Sequence, residues 1–493
     1  MRYSHIIKIN FTGGIISPGD LMDILKTVHK AGISEVSFGL RQQLLIEVPD
    51  DDLIQLTTGL KKSQVVFETG NDEFPNIVSS YPAEEVFITK TWLSEGVYKD
   101  IFDSFDYRPK LKINISDYKQ SFTPLFTGNI NWVASANQHF WNLFIRFPKT
   151  NLIYKWRDIV YTNDVARMTK AVEAAIFSDE NKFYDNPSAD GNLLHEMIMK
   201  EELYITKPDE SEIKLPPFML PYYEGFNRYN DKYWLGIYRR EEKFSVKFLY
   251  ELCKICLSTK IGELCSTPWK SLIIKSIEEK DRNPWDTLLG KYQVNVRHAA
   301  NELNFQVEDN CKDGLELKSY LIKHLHRDDT RTFGICIGIK TRRKSEVFCN
   351  ILVRKRPLIN IAGIGLFFRY DILCAQDFNP NERTGYVFSS NNFKWLLPEQ
   401  LRCAIVSFYA AQREKAGNRN VANHAVEKIP AEAVVEYVHQ CGHCLSVYDD
   451  FFGDPGNSIS AGTKFSALPA DYSCPLCEAS KLDFKEIKKL ELV

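Results

Sequence analysis

Residues 17–48 show a pattern that can be read from apolar spacing alone. Ser17 followed by Pro18 is a helix cap followed by a first-turn proline. Leu21, Ile24, Leu25 and Val28 then recur at helical spacing, which predicts an amphipathic helix with one buried stripe. Val36–Leu40 and Leu44–Val48 read as two strands, and the carboxylates Asp50–Asp52 mark the start of another helix. The same pattern returns 228 positions later, without a gap, over residues 245–276. Ser17 falls on Ser245, Leu21 on Leu249, Lys26 on Lys254, Ile33 on Ile261, Glu35 on Glu263, Leu44 on Leu272 and Ile46 on Ile274. Glu263–Ser266 and Leu272–Ser276 are the second pair of strands, and Asn283-Pro284-Trp285 marks the next helix start. The chain therefore carries an internal repeat of α+β units.

The repeat also decides a tempting motif. Cys253-x-x-Cys256 has the spacing of a metal-binding pair, but its counterparts in the first copy are Leu25 and Val28. Both cysteines are thus expected on the buried stripe of a helix, where a free thiol behaves as a small apolar group. Cys336 and Cys349 alternate with apolar residues in strand-like runs and are read as core as well.

Composition narrows the class. The 493 residues, 44% of them apolar, suffice for two to four domains with real cores. With 62 basic against 64 acidic side chains there is no general nucleic-acid or membrane signal. No run approaches the ~18 apolar residues of a spanning helix. The stretch Met1–Lys8 has no leader pattern, so a cytoplasmic protein is expected. In that compartment twelve cysteines are not a disulfide framework.

The charge is unevenly spread. A polar run at Gln412–Ile429 reads as a linker. Beyond it, residues 431–493 hold ten acids and five lysines, a net −5, leaving +3 on the rest of a chain that totals −2. Lys340, Arg342, Arg343, Lys344, Arg354, Lys355 and Arg356 flank an expected strand, Val347–Val353. They read as a solvated hairpin, or as a docking patch for an acidic protein or an anionic cofactor.

The acidic tail contains Cys441-Gly442-His443-Cys444 and Cys474-Pro475-Leu476-Cys477, separated by 29 residues. Two such turns can present four thiolates tetrahedrally, a donor set that suits zinc or a single iron. The interval holds Tyr448-Asp449, Gly453-Asp454-Pro455, Gly462-Thr463, Phe465, Leu468-Pro469 and Asp471-Tyr472, and Phe484 follows the last cysteine. In this order the motifs resemble rubredoxin over nearly the whole length of that family. The resemblance implies one iron held by Cys441, Cys444, Cys474 and Cys477, and a small aromatic core of Tyr448, Phe465, Tyr472 and Phe484. Leu445 and Glu478 stand where the family places glycine, Ala461 replaces a proline and Tyr472 a tryptophan. If the turns need positive φ, a side chain there costs about 1 kcal/mol. His443, inside the first turn, is read as facing solvent.

The repeat region carries a second resemblance. Gly39-Leu40-Arg41-Gln42, Thr267-Pro268-Trp269-Lys270-Ser271-Leu272-Ile273-Ile274, and the strands Leu111–Ser116 and Asn129–Val133 are similar to the ferredoxin-like half-domains of sirohaem sulfite and nitrite reductases. This implies a first reductase-like half at 1–225, a second at 226–415, a linker at 416–430 and a rubredoxin-like domain at 431–493. Arg41 matches a sirohaem-contacting arginine of that family and is the candidate cofactor-binding residue outside the tail. The family's cluster-binding Cys-x5-Cys and Cys-x3-Cys pairs are missing, and the corresponding loop reads Ser116–Ser121. Without the cluster, the plain reading of Arg41 is a solvated or ion-paired surface arginine.

The expectation is a one-electron carrier with an Fe(Cys)4 site on a non-catalytic reductase-like scaffold. It would serve a redox partner such as a sirohaem nitrite or sulfite reductase or a flavoprotein reductase, with no nucleic acid and no membrane. The alternative is a binding protein with structural zinc and a residual anion or tetrapyrrole cleft.

Overall fold

Ser17 and Ser245, one repeat apart, each cap a helix of thirteen residues, Pro18–Lys30 and Val246–Ser258. Each serine hydroxyl accepts the backbone N–H three residues on, that of Asp20 and of Phe248. The computed structural model describes residues 4–488, except 71, 88–90, 209–217, 343–345, 362–363, 424–436, 444–445, 451–452, 455–456, 458, 461 and 476. The chain divides into two units, Met1–Gln412 and Arg413–Val493.

In the first unit the two capped helices pack together. Leu21, Leu25 and Val28 of one helix, and Leu249, Leu252, Cys253 and Cys256 of the other, are fully buried in one shared core. Burial lifts the Cys253 thiol to about 12, so it stays protonated and apolar.

Each helix belongs to a five-stranded sheet, and the two sheets exchange an edge. The first sheet runs Phe244–Ser245, Glu35–Phe38, Gln43–Pro49, Ser4–Asn10, Glu68–Thr69. The second runs Gly225–Tyr229, Lys232–Ile237, Leu272–Ile277, Leu264–Ser266, Ile15–Ile16. The short strand before the first helix, Ile15–Ile16, thus pairs in the second copy's sheet, while Phe244–Ser245 pairs in the first copy's. Gln42 ties the copies further. Its buried side chain donates to the carbonyls of Ser79 and Ser266.

A seven-stranded sheet fills the space between the repeats in sequence. Within it Ile113–Ser116 and Ile130–Ala134 lie parallel, close to the strands expected at Leu111–Ser116 and Asn129–Val133. Its core is aromatic: Trp132, Trp141 and Trp156 are buried.

A further five-stranded sheet is formed by Phe305–Val307, Ile337–Lys340, Ile351–Ile361, Ile364–Ala375 and Gly385–Asn392. Here two expectations need correction. The strand expected at Val347–Val353 begins at Ile351 and runs to Ile361. The basic cluster is not a bare cationic patch. Arg354 and Arg356 pair with the buried carboxylate of Asp371, and Lys355 pairs with Asp313. Arg342 donates to the backbone carbonyls of Asp309 and Asn310, and Arg343 and Lys344 lie outside the described residues. Sequence spacing showed the cations but not the acids folded against them.

The segment expected as a linker is helical as far as Asn423, within the helix Leu397–Asn423. Gln, Arg, Glu, Lys and Ala favour helix even without an apolar stripe, which explains the difference. Residues 424–430 lie outside the described set. Among the described residues no helix is long and apolar enough to cross a membrane.

The second unit is small. Its sheet runs Val447–Tyr448, Tyr437–Cys441, Phe484–Lys488. Isolated bridges Asp454↔Ile459 and Ser473↔Ser480 close its loops.

Candidate metal centre

Cys441 ends the central strand of the small sheet, and a tight turn follows it. Its N–H donates to the Ser446 carbonyl at 2.8 Å, while the Gly442 N–H donates to the Asp483 carbonyl at 2.8 Å. The second pair is built alike. The Cys474 N–H donates to the Ala479 carbonyl at 2.8 Å, and the Glu478 N–H returns to the Cys474 carbonyl at 2.9 Å. These hydrogen bonds fold each cysteine turn around its own sulfur.

The turns bring the Sγ atoms of Cys441, Cys474 and Cys477 within 4.8 Å of one another, with Cys441 and Cys477 3.6 Å apart. A tetrahedral centre with metal–sulfur bonds of ~2.3 Å needs sulfurs about 3.8 Å apart. The three thiols therefore fit a tetrathiolate metal. Cys444, the expected fourth ligand, lies outside the described residues. Cys441 and Cys474 are buried and Cys477 is exposed, so the site is closed on one side and reaches the surface on the other.

The same unit holds a small aromatic core. Tyr448, Phe465, Leu468 and Tyr472 are buried together, with Ile459 and Phe484 against them. The Tyr472 hydroxyl donates to Asp454 at 2.9 Å, which satisfies the polar tip of the residue replacing tryptophan. Burial and this acid hold the Tyr472 phenol well above its usual range. Glu478 has a φ of +59°, so the turn does place a side chain in the left-handed region. Leu445 lies outside the described residues. His443 is exposed, with its Nε2 3.7 Å from Asp483.

Some contributors escaped the sequence reading. His439 stacks on Phe465 at 3.9 Å and 8°. The Ser446 hydroxyl lies 3.0 Å from the Cys474 sulfur. Asp450 accepts the Phe465 N–H at 3.0 Å. A serine two residues past a Cys-x-x-Cys turn is the only one of the three with a readable signal.

Arg41 is far from a solvated surface residue. It is half-buried and donates to the carbonyls of Asn76 at 2.6 Å and Ile113 at 2.9 Å. Burial lowers its pKa to about 10. It lines a cavity of about 230 Å³ shared with Lys8, Lys112, Asp72, Glu308 and Glu346. Drug-sized ligands occupy roughly 300–1,000 Å³. Among the described lining residues carboxylates match cations, so those residues alone offer no net positive charge to a polyanion. Nor do Cys311, Cys336 and Cys349 make a cluster site. Among the described residues the cysteines that gather are those of the tail.

The rubredoxin family profile matches residues 438–484. Over 49 residues the chain is 47% identical to the high molecular weight rubredoxin of Moorella thermoacetica, a match covering 10% of this chain and 21% of that protein. It thus spans about a fifth of that relative's length. Rubredoxin of Megasphaera elsdenii is 51% identical over 43 residues, 9% of this chain and 81% of its own length. Rubredoxin-2 of Pseudomonas aeruginosa is 43% identical over 49 residues, 10% of this chain and 89% of its own length. Among solved structures, the Mycobacterium tuberculosis NirA protein aligns with a TM-score of 0.61 and 13% identity, covering 81% of this chain and 80% of that one. The chain is thus a fused protein: a rubredoxin domain follows a region with the sulfite-reductase-like fold. Through that C-terminal domain it belongs to the rubredoxin family.

Proposed function

We propose that the protein is a one-electron carrier. A single iron would be held by Cys441, Cys444, Cys474 and Cys477, and the larger unit would serve as a non-catalytic scaffold for a partner oxidoreductase. The observation that carries this reading is the convergence of three sulfurs from two Cys-x-x-Cys turns, at tetrahedral spacing. Such iron changes oxidation state by one electron with little rearrangement of its ligands. The protein's part is to fix four thiolates, aim backbone N–H groups at them and leave no position open to substrate. An electron must then leave to another protein, and exposed Cys477 gives the edge at which it can do so. A sirohaem nitrite or sulfite reductase, or a flavoprotein reductase, has the chemistry to exchange it. The test is aerobic purification of the full chain from iron-replete cells. One iron per chain and a visible spectrum reversibly bleached by dithionite are expected. A colourless protein carrying one zinc would overturn the reading, and methyl-viologen-driven turnover of sulfite or nitrite would overturn the non-catalytic scaffold.

A second reading has one observation behind it. Arg41 and Lys112 both line the cavity, and Lys112 has a lowered pKa through burial and through Arg41 beside it. Two crowded cations suit a small anion, one that competes with the neighbouring carboxylates Asp72 and Glu346 for them. Calorimetry with sulfite is expected to show binding that Arg41→Ala abolishes, and no heat from the unaltered chain would dispose of it.

A further inference from the structure

The two cysteine turns of the second unit are bridged by a serine. Ser446 follows the first turn and directly precedes the strand Val447–Tyr448. Its backbone is fixed on both sides. The Ser446 carbonyl accepts the Cys441 N–H at 2.8 Å, and Val447 beside it pairs with Gln440 in the sheet. Held there, the half-buried Ser446 places its hydroxyl 3.0 Å from the sulfur of Cys474, which belongs to the second turn.

Metal binding decides the direction of this contact. Between a hydroxyl and a free thiol either group can donate. A thiol must lose its proton to bind metal, and the thiolate can then only accept. In the loaded site the Ser446 O–H therefore donates to the Cys474 sulfur. Cys474 is 1% exposed, so water competes little for that sulfur. A hydrogen bond to a charged acceptor in such a setting is stronger than the same bond at the surface. Cys477 differs, since it is exposed and its sulfur is open to water.

Such a bond is sensitive to the charge on the sulfur. Reduction of a tetrathiolate iron adds one electron, moves no proton and places part of the new charge on the sulfurs. A donor aimed at one of them stabilises the reduced centre more than the oxidised one. We propose that Ser446 sets the reduction potential of the site, raising it through an O–H···S hydrogen bond that crosses from the first cysteine turn to Cys474 of the second. The inference rests on the one-electron carrier described above and names a residue that tunes it. Ser446 acts through the sulfur, so it is a positioning residue. A serine that only braced the fold would change metal retention, not the potential at equal metal content.

The test is spectroelectrochemical titration of the iron-loaded full chain and three variants. Ser446→Thr keeps the hydroxyl, Ser446→Val has nearly the same shape without it, and Ser446→Ala removes it without adding bulk. Ser446→Thr is expected to hold the parent potential. Ser446→Val and Ser446→Ala are expected to favour the oxidised centre about fivefold, a fall of about 40 mV at 59 mV per tenfold for one electron. Their sulfur-to-iron charge-transfer band is expected at longer wavelength, because a sulfur that loses a hydrogen bond gives up an electron more easily. Iron content and bleaching by dithionite are read on the same samples. Equal potentials in the parent and Ser446→Ala, with one iron in each, would overturn the inference and leave the carrier standing. Loss of iron from Ser446→Ala would also overturn it, by giving the serine a structural role. A parent chain without reversibly reducible iron would remove the carrier and this inference together.

Discussion

Glu478 holds a φ of +59°, at a position where the resemblance to rubredoxin leads one to expect glycine. Its side chain is exposed, so the substitution touches no core contact and the cost is in the backbone. Glu478→Gly is expected to stabilise the metal-loaded second unit by about 1 kcal/mol, less the entropy glycine adds to the unfolded chain. Denaturant titration followed through the metal's absorption checks it, and a variant less stable than the parent counts against this account of the turn. Glu84 carries a different cost. It is buried, and its Oε2 has no hydrogen-bond partner among the described residues. Burial raises its pKa to about 7, against an ordinary 4.5, although Lys275 pulls the other way. The folded state therefore holds this proton more tightly than the unfolded chain. The stability contributed is full below pH 4.5 and is lost as pH rises towards 7. Glu84→Gln is expected to flatten that slope and to stabilise the chain at pH 8 by on the order of 2 kcal/mol. Unfolding free energies of parent and variant, measured from pH 4.5 to pH 8, decide the matter.

At the scale of elements, the exchanged edges make the two repeats interdependent. Each sheet lacks a strand without the other copy, and the stripes of helices Pro18–Lys30 and Val246–Ser258 are buried in a common core. Residues 1–225 and 226–412 expressed apart are therefore expected to be unfolded, and co-expressed to assemble. Cooperative unfolding of either half alone would contradict this. The helices themselves were legible because four apolar positions at helical spacing repeat 228 residues later. The metal turns were legible because a chelating pair is a short local signal. The exchange was not, since a strand of two residues such as Ile15–Ile16 has no period to detect. Nor was the partnering of Arg354, Lys355 and Arg356, because Asp371 and Asp313 reach them only through the fold. Nor is the setting of Arg41 legible: carbonyls of Asn76 and Ile113, distant in sequence, take it out of solvent.

At the scale of the molecule, the two units are stabilised by different means. The first has three large apolar cores, one of them joining both repeats. Among its described residues the second has a core cluster of four buried side chains, Tyr448, Phe465, Leu468 and Tyr472, with two more leaning on it. A core that small rarely sustains a fold without a staple, and in such domains metal-binding free energy is folding free energy. The thiols that gather, Cys441, Cys474 and Cys477, all belong to the second unit. Removing the metal should therefore act on one unit and spare the other. Calorimetry of the metal-loaded chain is expected to show separate transitions. In the metal-free chain the transition of residues 413–493 should vanish, while that of residues 1–412 keeps its midpoint to within about 2 °C. Fluorescence separates the two, because all eight tryptophans of the chain precede residue 413. A tryptophan-monitored midpoint that falls by several degrees on metal removal would mean that the metal supports the larger unit as well.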